Sequence, residues 1–89
     1  MTFAGELETH WTFQEDARRT PESLAAIAAE HGLKLTHVVL DRGLHPSQPM
    51  LTRRRRSELA FELADAQSMA VRLGNHGLQV QRVKIEAAV

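Results

Sequence analysis

Two segments with the same ending decide the fold: HGLKLTHVVLD (His31–Asp41) and HGLQVQRVKIE (His76–Glu86). They align without gaps at an offset of 45 residues, about half of the 89-residue chain. Each His-Gly-Leu triplet follows an apolar pattern of helical period and precedes a pattern that alternates as strands do. The sequence therefore predicts the same helix-to-strand unit twice.

The triplets themselves have the chemistry of a helix end. Gly32 and Gly77 can adopt the left-handed conformation that closes a helix, with the following leucine packing back onto the last turn. His31 and His76 then lie in last turns, where a positive charge suits the helix dipole. We interpret both histidines as helix-end residues rather than as ligands.

Two helices are predicted from their start signals and apolar stripes. Thr20 is the expected N-cap of the first helix, with Pro21 at its first position. The second helix is expected to begin near Ser57. The positions predicted to face the core are Leu24, Ile27 and Ala28 in the first helix, and Leu59, Leu63, Ala66, Ala70 and Leu73 in the second.

Four strands are predicted from period-two alternation. The first has Leu7, Thr9, Trp11 and Phe13 on its core side and Glu6, Glu8, His10 and Thr12 on the other. The last has Val83, Ile85 and Ala87 on its core side and Arg82, Lys84 and Glu86 on the other. After the first helix, Val38 and Leu40 are predicted to face the core, with His37, Val39 and Asp41 turned away. A weaker strand is predicted over Gln48–Arg53, where Pro49 fits only a strand start or an irregular edge.

The predicted order is β-α-β followed by β-α-β. That is the ferredoxin-like, split βαβ arrangement (βαββαβ) of the α+β class. We expect residues 1–89 to form a single domain with an antiparallel sheet. Both helices are expected to cover one face of the sheet and to leave the other face open.

Composition excludes several classes of protein. The chain has 11 basic and 11 acidic side chains, whereas a nucleic-acid binder usually has a basic excess. It has no cysteine, which rules out disulfides and cysteine-ligated metals and is compatible with a reducing cytoplasm. No signal peptide and no apolar run of about 20 residues is evident, so we expect a cytoplasmic protein that does not enter membranes. No cofactor is predicted.

Three short segments carry a resemblance to a known family. They are ETH (Glu8–His10), QPM (Gln48–Met50) and RVKIEA (Arg82–Ala87). In this order they resemble an uncharacterised bacterial family of proteins built from ferredoxin-like modules. The resemblance spans most of the chain, and it implies the fold. It implies no reaction and no catalytic residues.

The open face of the predicted sheet collects the candidate site residues. They are Glu8, His10, His37, Asp41, Arg82, Lys84 and Glu86. One interpretation is a lattice of cross-strand ion pairs. The other is a shallow site for an anionic small molecule, with Arg82 as a carboxylate or phosphate anchor and His10 as a proton carrier.

The same face offers residues for a metal site. His10 and His37 could approach each other, with Glu8 or Asp41 completing an N/O ligand set. The sequence has no HExxH motif and no pair of histidines at helical spacing. We therefore assign no metal site.

The run of four arginines, Arg53, Arg54, Arg55 and Arg56, lies where the weak strand meets the second helix. Our first interpretation is a solvated junction, because Glu58, Glu62 and Asp65 follow and can pair with it. An anion site at the run is the second interpretation. Nucleic-acid binding is the third, since no aromatic residues interleave the run.

These observations favour a small noncatalytic binding or accessory module. It would form a homodimer through an unpaired strand edge, near the Pro49 strand or the last strand, and could bind an anionic small molecule. The alternative is a small enzyme doing acid–base chemistry on an anionic substrate. Whether the chain is an enzyme is left open by the sequence.

Overall fold

The computed structural model describes residues 3–14, 19–38 and 48–88. Its elements are β1 (Ala4–Phe13), α1 (Pro21–Glu30), β2 (Lys34–Val38), β3 (Gln48–Glu58), α2 (Leu59–Asn75) and β4 (Val80–Ala87). The strands form one antiparallel sheet in the order β2-β3-β1-β4. The α+β class, with a four-stranded antiparallel sheet and two helices, is confirmed. In the described ranges, neither helix has the length and apolar character needed to span a membrane.

Strand β1 lies at the centre and alternates as predicted. Leu7, Thr9, Trp11 and Phe13 are each at most 2% exposed. The Trp11 indole Nε1 donates a hydrogen bond to the Ala66 carbonyl of α2 at 3.0 Å. The buried residues of α1 belong to the same core cluster as Trp11, so both helices cover one face of the sheet.

The two helix ends have the predicted geometry. Gly32 and Gly77 have φ values of 67° and 85°. The backbone N–H groups of Leu33 and Leu78 each donate to the carbonyl five residues back, at 2.8 and 3.1 Å. Both leucines are buried, so each His-Gly-Leu triplet closes a helix and returns the chain to the core.

The start of α1 also agrees with the sequence. The Thr20 side chain accepts a hydrogen bond from the Ser23 backbone N–H at 3.1 Å, and Pro21 is the first helical residue. Leu24, Ile27 and Ala28 are buried. The local signals were sufficient because a cap and an apolar stripe depend only on nearby residues.

The boundary between β3 and α2 differs from the prediction. Strand β3 continues to Glu58 and pairs with β1 along its length, and α2 begins at Leu59. On α2, Leu63 is 49% exposed, whereas Glu62 is 1% exposed. The predicted stripe holds at Ala66 and Leu73, which are buried. The error at its start arose because a glutamate replaces an apolar residue in the core.

The register of β2 also corrects the prediction. Leu35 lies opposite Leu51 and packs against the core, so the backbone register aligns the odd-numbered positions of β2 with the core-side positions of β3. His37 pairs with Pro49 in the backbone register. The segment LTHVVL has apolar residues in both alternating sets, so its pattern fits either register. Positions 39–41 of this prediction, which include Asp41, lie outside the described residues.

Strand β4 follows the predicted alternation at an edge of the sheet. Val83, Ile85 and Ala87 lie opposite Trp11, Thr9 and Leu7, which places them on the helix side. Val83 is nevertheless 39% exposed. An edge strand has no neighbour on its outer side, so its core-side residues are only partly covered.

Candidate functional site

The uncovered face of the sheet brings together residues from all four strands. Glu8 lies between Arg54 of β3 and Glu86 of β4. His10 lies between Thr52 and Lys84. Antiparallel pairing therefore places the acidic and basic side chains of β1 and β4 within reach of one another, as expected for adjacent strands.

The His10 ring is held from three strands. Its Nε2 is 3.0 Å from the Glu86 carboxylate and 3.1 Å from the Glu8 carboxylate, and its Nδ1 is 2.9 Å from the Thr52 hydroxyl. Only 12% of the His10 side chain is exposed. The hydrogen bond from His10 and the charge of Lys84 hold the pKa of Glu86 below its ordinary value. The His10 ring therefore lies between two carboxylates and a hydroxyl group.

Arg82 does not join this cluster. It lies opposite Thr12, and within the described part of the chain no hydrogen bond or ion pair joins it to His10. The Lys84 ammonium is 3.4 Å from Glu86 and so pairs with the same carboxylate as His10. The expected combination of Arg82 as anchor and His10 as proton carrier is not assembled.

His37 and Asp41 do not complete a site with His10. The backbone register puts His37 two strands and three residues away from His10, about 14 Å by ordinary sheet spacing. Asp41 lies outside the described residues. The backbone register therefore separates His10 from His37.

A notch opens where β2 stops short of its neighbour. Strand β2 begins at Lys34, opposite Thr52, while β3 continues to Glu58 with β1 as its only partner in the described chain. A cavity of about 540 Å³ lies at this point. The notch is lined by Glu8, Gly32, Leu33, Lys34, Thr52, Arg53 and Arg54. The sequence did not indicate Lys34 and Thr52, because the notch depends on how far two distant strands overlap.

The arginine run is divided between the two faces of the sheet. Arg54 lies on the open face, 55% exposed, with its Nε 3.6 Å from the Glu6 carboxylate. Arg53 and Arg55 face α2 and are 12% and 34% exposed. A strand places successive side chains on opposite faces, so four consecutive arginines have two different environments.

The inner arginines enclose a buried carboxylate. Arg53 Nη2 is 2.6 Å and Arg55 Nε is 2.7 Å from the two oxygens of Glu62. The Thr9 hydroxyl donates to Glu62 at 2.8 Å, and Asp65 is within 3.1 Å of both arginines. The predicted pairing with Glu62 and Asp65 is confirmed. The interpretation as a solvated junction is wrong for the inner pair, and their charges are already engaged by carboxylates of the chain.

These contacts fix the ionisation of the two acids. Burial raises the pKa of Glu62, but the hydrogen bonds from the two arginines and Thr9 outweigh it, so the pKa lies below its ordinary value. Burial also raises the pKa of Asp65, and the hydrogen bond and charge of Arg53, with the charges of Arg55 and Arg72, lower it by more. Both groups are carboxylates near neutral pH.

Comparison with known proteins adds nothing to this geometry. No protein-family model, curated protein or solved structure matches the chain. The functional assignment therefore depends on the contacts within the chain.

Proposed function

We propose that this chain is a small noncatalytic binding module of ferredoxin-like architecture that holds an anionic small molecule in the notch. The βαββαβ order and the β2-β3-β1-β4 sheet support that architecture. The resemblance to bacterial ferredoxin-like modules is part of the same proposal. The observation that carries the function is the cavity of about 540 Å³ with Lys34 and Arg54 in its lining.

The charges of the notch favour an anion. Lys34 is exposed, and among the described residues Arg54 has a single ion pair, which is long at 3.6 Å, so its guanidinium is available to a ligand. Glu8 is the acidic member of the lining, but its carboxylate is 3.1 Å from the His10 ring. A guanidinium fork beside an ammonium is a suitable combination for a carboxylate or phosphate.

The backbone adds neutral donors to the same place. From Arg53 to Glu58, β3 has β1 on one side and no strand of the described ranges on the other. The free side of a strand presents unpaired N–H groups. Gly32 also lines the notch, and the absence of a side chain there lets a ligand approach the backbone.

The enzyme alternative is less well supported by the contacts. Both ring nitrogens of His10 already have partners, and the ring is 12% exposed. A proton carrier needs a free nitrogen within hydrogen-bond reach of the substrate. The notch residues have charge but no evident nucleophile or base in position, so binding without turnover is the function that fits best.

The test is titration of the isotope-labelled protein with inorganic phosphate, simple carboxylates and nucleotides, followed by NMR. We expect saturable shifts at Lys34, Thr52 and Arg54 for at least one ligand. Because a hydrogen bond to a charged group contributes about 1.5–3 kcal/mol, Arg54→Gln should weaken binding by about ten-fold or more.

Arg56→Gln is the matched control. Arg56 lies two residues further along the same strand and is outside the lining of the notch. Equal losses in the two variants would indicate a diffuse charge effect and contradict the proposal. Absence of a saturable response at the notch throughout the panel would also overturn it.

A further inference from the structure

The two helix-end histidines meet in the fold. His31 Nε2 and His76 Nε2 are 3.0 Å apart, and the rings are edge to face with centroids 5.2 Å apart. The Glu30 carboxylate is 3.5 Å from His76 Nε2. One ligand atom from each of the three residues lies within 4.8 Å of the others. Equivalent positions of the internal repeat thus form a single cluster.

The backbone holds both histidines in the same conformation. Each is a helix C-cap, with φ and ψ of −102° and 5° at His31 and −84° and 2° at His76. Arg19 Nη2 donates to the His76 carbonyl at 2.8 Å. This hydrogen bond ties the end of α2 to the residue that precedes the N-cap of α1.

The Nε2 atoms of both rings face the cluster, and at 3.0 Å one neutral imidazole can donate its Nε2 proton to the other. When both rings carry their proton on Nδ1 instead, both Nε2 lone pairs are free for a cation. A cation at this point also has the Glu30 carboxylate beside it. The C-terminal ends of two helices add partial negative charge. The Arg19 guanidinium is the opposing charge, and its donor atom is engaged by the His76 carbonyl.

From this geometry we propose that Glu30, His31 and His76 bind a divalent transition-metal ion of the Zn²⁺ type. Two Zn–N bonds at a tetrahedral angle separate their nitrogens by about 3.3–3.4 Å. The observed His31–His76 and His76–Glu30 separations of 3.0 and 3.5 Å need adjustments of only a few tenths of an ångström. The exposed Glu30 side chain must also approach His31, from which its carboxylate lies within 4.8 Å. Two imidazoles and a carboxylate suit Zn²⁺, Ni²⁺ or Cu²⁺ better than Mg²⁺ or Ca²⁺.

The other acidic-histidine cluster is less suitable. Glu8, His10 and Glu86 also lie within 4.8 Å of one another, but they supply one imidazole only. Lys84 is 3.4 Å from Glu86 and competes with a metal ion for that carboxylate. This cluster therefore provides an internal comparison for the experiment.

The test is calorimetric titration of the full chain with Zn²⁺, with Co²⁺ absorption and histidine ring NMR as spectroscopic readouts. We expect one ion per chain, with shifts of the His31 and His76 ring signals and none of His10. His31→Gln and His76→Gln should each weaken Zn²⁺ binding at least 100-fold, while His10→Gln should leave it unchanged.

Glu30→Gln gives a second measurement that leaves the C-cap residues His31 and His76 unchanged, and this side chain is 62% exposed. It should weaken Zn²⁺ binding about ten-fold while the fold is unaffected, whereas Glu22→Gln, at the other end of α1, should not. Binding that persists in the double variant of His31 and His76, or no saturable binding below millimolar Zn²⁺, would overturn the proposal.

Discussion

At the scale of single residues, Glu62 is the least expected feature of the molecule. It is 1% exposed and takes a place that the helical pattern would give to an apolar side chain. Both oxygens of its carboxylate are bonded, one to Arg55 and the other to Thr9 and Arg53. A buried charge is tolerated only when it is paired and hydrogen-bonded, and this site meets both conditions.

We predict that Glu62→Gln will lower the free energy of unfolding by about 3 kcal/mol, since removing one member of a buried ion pair leaves the other charges uncompensated. Urea denaturation at neutral pH measures the change. The control is Glu6→Gln, because the Glu6 side chain is 42% exposed and its ion pair with Arg54 is 3.6 Å long. That variant should change stability by at most about 1 kcal/mol. Equal effects in the two variants would contradict the prediction.

The dependence of folding stability on pH has a definite sign. The folded-state pKa values of Glu62 and Asp65 are below their ordinary values, so their contribution to stability is present above the unfolded-state pKa. It is lost as the pH falls through the folded-state pKa. The wild-type protein should therefore lose stability below about pH 5, and Glu62→Gln should lose less over the same range.

At the scale of elements, the predictions that succeeded depended on local chemistry. The helix ends at Gly32 and Gly77 were predictable because a left-handed residue and a returning leucine lie within a few positions of each other. The alternation of β1 was predictable for the same reason. The end of β3 was not, because Arg53 and Arg55 remain in the strand through pairing with the distant β1 and through contacts with α2.

In the candidate site, too, the sequence predicted what depends on local pattern and missed what depends on contacts between distant segments. The sequence placed Glu8, His10 and Glu86 on one face, and the structure brings them together. It could not indicate the notch, which depends on the overlap of β2 with β3, nor the meeting of His31 with His76. The internal repeat was the available signal for the histidine pair, but a repeat alone does not show that two equivalent positions are in contact.

The division of the arginine run gives a prediction about nucleic acids. Only Arg54 and Arg56 lie on the open face of β3, and the chain has no net charge. A polyanion gains affinity from several simultaneous phosphate contacts, so two exposed arginines are too few. The double variant Arg54→Gln, Arg56→Gln should barely change retention on heparin at physiological salt. A large, salt-sensitive loss of oligonucleotide binding in this variant would contradict the prediction.

At the scale of the whole molecule, three stretches of strand edge have no partner strand among the described residues. They are the outer side of the short strand β2, β3 from Arg53 to Glu58, and the outer side of β4. Pairing β3 with its copy would place the arginine runs of the two copies side by side, where their like charges repel. The Pro49 end of β3 is already paired with β2. Charge therefore favours β4 as the site of self-association.

Strand β4 has a self-complementary sequence. Antiparallel pairing with a second copy about a two-fold axis at Ile85 sets Lys84 opposite Glu86 twice and Val83 opposite Ala87 twice. Next to this edge, α2 and β4 form an apolar groove of about 350 Å³ that includes Val71, which is 66% exposed. The edge thus combines free backbone groups, matched charges and apolar surface.

We therefore predict a homodimer that extends the sheet through β4, measured by sedimentation over a range of concentrations. Glu86→Lys should weaken the dimer because it sets lysine opposite Lys84, and the exchange Lys84→Glu with Glu86→Lys should restore it. Arg56→Glu, on the open edge of β3, should have no effect. If the protein stays monomeric at high micromolar concentration, the dimer is excluded. If the charge exchange fails to restore association, the pairing about Ile85 is wrong, because only reciprocal contacts between equivalent strands are repaired by exchanging both charges at once.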